Sequence, residues 1–201
     1  YLDKELIGLK SLDYIHPEDR EITRQNAIKA LKRERSEPYE YRFIKKNGEI
    51  MWALEMVASV KYRGKRAVLG SFMDITERKI AEEELRKNRM FLRTMIDSLP
   101  IWISAVDTQG NYVIANKYYE SFFNKPLELI EGHNFKELFT EQDYQRHNAL
   151  VDKCLSTGKS IEVSETITGG NNITAHIFGT YTPLFDEKGK IFAMAVLAID
   201  I

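Results

Sequence analysis

Lys4-Glu5-Leu6-Ile7-Gly8, followed by Leu12-Asp13-Tyr14-Ile15-His16-Pro17-Glu18-Asp19, is echoed by Leu127-Glu128-Leu129-Ile130-Glu131-Gly132 and then Glu137-Leu138-Phe139-Thr140-Glu141-Gln142-Asp143. Gly8 and Gly132, like Asp19 and Asp143, lie about 124 residues apart, a domain-length repeat rather than a solenoid one. Each stretch leads through a polar helix and three strand-like runs to an Asp-Ile pair, at Asp74-Ile75 and at Asp200-Ile201. The chain therefore holds two copies of one fold, and its function must suit a repeated module.

The second copy is the complete one. Ile101 to Val106 is β-rich, Asp107-Thr108-Gln109-Gly110-Asn111 is a turn, and Tyr112 to Ala115 is a second strand. Asn116 is placed to cap a helix from Lys117 to Phe123. Thr140 with Asp143 reads as a capping box opening the longest helix, which shows Leu150, Val151 and Leu155 on one side and stops at Gly158. Three strands follow, 160–168, 172–185 and 190–200, joined by Gly169-Gly170-Asn171 and Asp186-Glu187-Lys188-Gly189. The expected order is β-β-α-α-α-β-β-β.

In the first copy only the later parts are present. Pro17-Glu18-Asp19 opens a polar helix running to about Arg35, and strands at 39–45, 49–62 and 66–75 are joined by Lys46-Asn47-Gly48 and Arg63-Gly64-Lys65. Two strands and a helix found in the other copy have no counterpart before Tyr1, so the numbering is expected to begin inside a domain. The expected divisions are 1–76, a connecting helix over 77–98, and 99–201.

Lys and Arg total 29 against 30 Asp and Glu, a formal charge of −1 that offers no footprint for nucleic acid. The longest purely apolar run, Ile191 to Ile199, is too short to span a bilayer, so no membrane contact is expected within the chain. A single cysteine, Cys154, and no signal segment point to the cytoplasm.

Between the copies, Ala81, Leu85, Asn88, Leu92, Met95 and Leu99 alternate at spacings of four and three, a heptad seam with one polar core position. A parallel coiled-coil homodimer fits that pattern. Phe91 and Ile96 widen the apolar face, so packing of this helix on its own domain fits it equally.

The order of elements, the Lys46-Asn47-Gly48-Glu49-Ile50-Met51-Trp52 hairpin, and above all Asp74-Ile75-Thr76-Glu77-Arg78-Lys79 resemble the PAS domains of bacterial and archaeal signalling proteins. The resemblance implies an α+β fold, each copy a five-stranded antiparallel sheet with helices on one face, the first truncated at its N-terminus, and a small pocket between helices and sheet. It also implies signalling by conformation. Strand movement would pass through Asp74 and the cap of Thr76 into the helix, along Leu85, Asn88 and Leu92, toward an output domain elsewhere, such as a histidine kinase of a two-component system or a diguanylate cyclase.

Alternation along the last two strands turns Ile177 and Gly179, and Met194 and Val196, toward the helices beside Phe122, Phe135 and Val151. That set either lines a small-ligand pocket or closes it as ordinary core, leaving a pure dimerisation module. Trp52 and Trp102 are expected in cores. Catalysis finds no constellation: His147 and Cys154 sit roughly 10 Å apart along one helix, too far for a nucleophile and its base. The chain itself is expected to be no enzyme.

Thr140 to Val151 is similar to the long helix of oxygen-sensing haem PAS kinases, in which a histidine at the place of His147 binds the iron. Haem is thus the alternative cofactor, beside none. A histidine between Arg146 and Asn148 also suits a solvated helix face. Gly132-His133-Asn134-Phe135-Lys136 resembles the cysteine-bearing segment of light-sensing PAS domains, but Phe135 stands at the reactive position, so no cysteinyl-flavin adduct forms there.

Overall fold

The structure is a computed structural model and describes residues 7–8, 10–32, 34, 37–169 and 173–201. Residues 4–6 of the opening repeat, residue 35 at the expected end of the first helix, and residues 170–171 of the expected Gly-Gly-Asn turn lie outside the described residues. The chain forms two compact units, Tyr1–Lys87 and Asn88–Ile201.

In the first unit, single 3-10 turns at Ser11–Tyr14 and Pro17–Asp19 lead into α1 (Arg20–Leu31). The helix starts one turn later than Pro17 suggests. Asp19 is occupied elsewhere: it accepts the backbone N–H of Arg42 at 2.8 Å and pairs with the Arg42 guanidinium at 2.7 Å. Strands β1 (Tyr39–Ile44), β2 (Ile50–Tyr62) and β3 (Lys65–Asp74) form an antiparallel sheet in that order. The β2–β3 hairpin has a two-residue loop, Arg63-Gly64, with both φ positive (49° and 76°), the mirror-image turn that matches strand twist. A small core of Ile15, Ala30, Tyr39, Tyr41, Met51, Ala53 and Val57 lies between α1 and this sheet.

The connecting helix, α2 (Thr76–Ser98), buries no residue fully. In the second unit, β4 (Trp102–Asp107) and β5 (Tyr112–Ala115) precede α3 (Lys117–Phe123). Where a further helix is expected the chain makes only 3-10 turns, Leu127–Leu129 and Phe135–Glu137. Pro126, Gly132 and Asn134 punctuate that stretch too closely for a longer helix. Next come α4 (Glu141–Thr157), β6 (Ile161–Thr168), β7 (Thr174–Phe185) and β8 (Ile191–Asp200). The five strands form one antiparallel sheet in the order β5-β4-β8-β7-β6. Thr140 accepts the Asp143 N–H at the start of α4, and Gly158 ends it in the left-handed conformation at φ 63°, as the sequence requires.

The repeat is structural as well as sequential. Ile44 pairs with Ile50 and Tyr41 with Ala53; at an offset of about 124, Thr168 pairs with Thr174 and Glu165 with Ile177. The acid at the helix start does the same work twice, since Asp143 accepts the backbone N–H of Thr168 as Asp19 accepts that of Arg42. Ile75 and Ile201, each after its aspartate, donate to Trp52 and His176 at 2.9 Å. In the second unit β8 bonds β7 on one side and β4 on the other; its counterpart β3 bonds β2 alone among the described residues.

Trp102 is core as expected, 2% exposed. Trp52 is not. It is half-buried, and the cations of Arg42 and Lys79 lie over its ring at 5.9 and 5.3 Å, an arrangement that keeps charge in water while covering an aromatic face.

Candidate functional site

The inner face of α4 is set by helical spacing: Asp143, His147, Val151 and Cys154 are buried, while Leu150 and Leu155 pack at its margin. Phe122, Phe135, Val151, Ile177, Met194 and Val196 all lie in one core between helices and sheet, brought together from α3, α4, β7, β8 and the turn before α4. Gly179 faces inward with them. A Cβ there would stand 2.8 Å from both the Ala198 Cβ and the Leu197 carbonyl, so the position requires glycine. Cys154 has its own partners, the carbonyls of Lys159 and Tyr181, and burial raises its thiol pKa. It is an inert core residue.

His147 is on no solvated face: it is 5% exposed. Asn148 and Arg146 point outward because they are its helical neighbours, whereas i−4 and i+4 place it with Asp143 and Val151. The rings of Phe135, Phe139 and Tyr181 surround its imidazole at centroid distances of 4.6, 4.9 and 5.3 Å. Burial pushes its pKa from 6.5 down to about 4, so the ring is neutral at physiological pH.

A polar chain crosses this apolar core. The Tyr181 hydroxyl donates to Glu165 Oε1 at 3.1 Å and stands 2.8 Å from His147 Nδ1. Burial raises the Glu165 carboxyl, while its bond from Tyr181 and the charge of Arg146 oppose that rise. With the Tyr181 hydroxyl donating its proton to Glu165, the Tyr181 oxygen accepts from His147 Nδ1–H. The remaining nitrogen, Nε2, is then a bare acceptor. It is buried and has no hydrogen-bond partner, as is the hydroxyl of Tyr112. Leaving such a group unpaired costs about 1–3 kcal/mol, which marks both atoms as unusual in a packed core. Tyr112 lies within electrostatic reach of Tyr119 and Tyr181, and Tyr119 hydrogen-bonds Ser104 at 2.9 Å.

The arrangement does not fit a haem. An axial histidine must present Nε2 to the face of a porphyrin, and the Phe135 and Phe139 rings instead pack directly on this imidazole. Among the described residues no cluster of three His, Cys, Asp or Glu side chains is placed for a metal ion.

A second polar device lies at the end of α2. Asn116 does not cap α3. Its side chain is wholly buried, accepts the Ile103 N–H at 3.1 Å, and donates to the carbonyls of Ile96 at 2.9 Å and Ile101 at 2.8 Å. Asp97, from the last turn of α2, takes over the cap and accepts the Lys117 N–H at 3.0 Å. Arg93 reaches Glu131 at 2.6 Å, and Glu131 also accepts the Ala115 N–H. The last turn of α2 is thus locked to the start of α3, the helix carrying Tyr119, Phe122 and Phe123 into the core.

At the other end of α2, Thr76 is no N-cap. It is the first helical residue; its hydroxyl accepts the Trp52 N–H at 2.9 Å, and Asp74 accepts the Thr76 N–H at 2.8 Å. Leu85 and Leu92 are 55% and 60% exposed, and Asn88 is exposed with them on α2.

Tyr181 and Glu165 were legible by extension: alternation that turns Ile177 inward also turns Tyr181 inward, and Glu165 shares its face with Val163 and Ile167. Asn116 was hidden because a local preference for caps looks the same as a tertiary bond.

The first unit has different contents. A cleft of about 510 Å³ lies between α1 and the sheet, lined by Leu12, Thr23, Tyr41, Glu55 and Val57 among others. At the offset of about 124, Thr23 stands for His147 and Val57 for Tyr181, so the polar chain is not repeated.

The sequence profile of the PAS fold matches residues 96–201, and a second PAS-fold profile matches residues 1–71. The chain belongs to the PAS-fold family and carries two PAS domains in tandem. It is 29% identical over 107 residues, 52% of its length, to the Sensor protein FixL of Bradyrhizobium diazoefficiens, and spans 21% of that protein. Among solved structures it is similar to the PAS domain of an HTR-like protein from Haloarcula marismortui, at a TM-score of 0.51 and 14% identity over 61% of this chain and 99% of that one. It is also similar to the Vibrio cholera VqmA protein in a ligand and DNA complex, at a TM-score of 0.50 and 20% identity over 55% of this chain and 50% of that one. These likenesses establish the fold.

Proposed function

We propose that the chain is the sensing part of a cytoplasmic two-component signalling protein, with a histidine kinase or similar output domain elsewhere in the protein. The second domain takes a small molecule into the core between α4 and the sheet, repacks α3, and passes that shift to α2. The chain itself makes and breaks no bond. The observation that carries this is the lock at Asn116 and Asp97, which hydrogen-bonds the end of the connecting helix to the element that lines the core. A ligand acts only by binding two arrangements of that lock unequally. The exposed stripe of Leu85, Asn88 and Leu92 supports a homodimer through α2, the coiled-coil linker that would carry the signal.

Native mass spectrometry beside a denatured sample tests it. An extra mass lost on denaturation is the expected result, and its size identifies the molecule. A chain of unmodified mass, in which hydrogen exchange of α2 responds to no added small molecule, would overturn the sensory role. A visible spectrum of the same preparation tests haem: a colourless protein is the expected result, and a strong visible band lost in His147→Ala would overturn it.

A further inference from the structure

The unpaired Nε2 of His147 carries chemical information because its protonation is dictated from behind. Glu165 fixes the Tyr181 hydroxyl, Tyr181 fixes Nδ1–H, and the imidazole is left with a lone pair aimed into an aromatic core. Tyr112 brings a second unpaired group, a hydroxyl able to donate or accept, into the same core. Around them stand Phe135, Phe139 and Tyr119, which favour a flat apolar body. Met194, a flexible side chain, is fully buried on β8 in the same core. A charged ligand is disfavoured, because any charge here loses its hydration without a paired counter-ion.

Resting on the sensory role proposed above, we infer that the second domain recognises a small, uncharged, aromatic molecule that donates an O–H or N–H hydrogen bond to His147 Nε2, with the Tyr112 hydroxyl as its second anchor. The first domain, with threonine and valine at the corresponding positions, does not share this preference. A ligand of the same shape lacking the donor leaves a buried acceptor unsatisfied and is rejected.

The test is NMR of the imidazole nitrogens in the full chain, with phenol as the donor-bearing probe and anisole as its donorless counterpart. In the free protein Nε2 is expected to be unprotonated; phenol moves its resonance and anisole does not. Tyr181→Phe removes the group that fixes Nδ1–H, so the two tautomers mix and the phenol response weakens about fivefold or more. Merely structural roles for Tyr181 would leave the tautomer unchanged. A proton on Nε2, equal responses to both probes, or no response to phenol would each overturn the inference. A molecule that co-purifies while Nε2 is protonated overturns it too and leaves the sensory role standing. A phenol response at Nε2 without any change in α2 upholds it and removes the sensory role.

Discussion

His147 and Asn116 show how much one residue depends on what surrounds it. The His147 imidazole has its pKa depressed from 6.5 to about 4 by burial, so the unfolded chain binds the proton first as pH falls. Stability from this group is therefore complete above about pH 6.5 and declines as the pH drops through about 4, a loss of roughly 3 kcal/mol in total. Urea denaturation across that window is expected to show the decline in the wild type and a flatter profile in His147→Gln. An equal slope in both would place the pH dependence elsewhere. Asn116→Ala removes, at a fully buried position, the acceptor of the Ile103 N–H and the donor to the carbonyls of Ile96, Leu99 and Ile101. We expect a loss of about 2–4 kcal/mol in urea denaturation, well beyond the ~1 kcal/mol of a lost helix cap. A loss of cap size would show that the lock contributes little.

At the scale of elements, α2 has two jobs that its sequence writes in two registers. Its last two turns are committed to its own domain through Arg93, Ile96 and Asp97, while Leu85 and Leu92 remain more than half exposed. The heptad pattern left dimer seam and intramolecular packing as alternatives; hydrogen bonding assigns the last two turns to the domain, and the exposed stripe of Leu85 and Leu92 remains. Leu92→Asp is expected to convert a dimer to a monomer in sedimentation, because a carboxylate at a seam position must be desolvated to pair. An unchanged mass would rule out the seam. The strands were legible for a different reason. Turns such as Arg63-Gly64 and Asp186-to-Gly189 mark where a hairpin reverses, and alternation marks its faces.

For the whole molecule, the two copies share a frame and differ in what fills it. The second unit gathers nineteen buried apolar residues in its core against seven in the first, among the described residues. Burial of apolar surface dominates folding stability, so the first unit should unfold at lower temperature. Calorimetry is expected to show two transitions, with the fluorescence of Trp52 following the earlier and that of Trp102 the later. One transition shared by both tryptophans would mean the units stabilise each other. The sequence by itself determined the repeat, the strand faces, the turns and the family, because these rest on spacing and local conformational preference, which are written residue by residue. Only the tertiary structure decided that His147 is buried against Tyr181, that Asn116 bonds α2 instead of capping α3, and that Trp52 lies under cations rather than in a core. Those outcomes depend on which distant side chains arrive beside each residue, and hydrogen-bond chemistry at a distance leaves no period in the sequence to read.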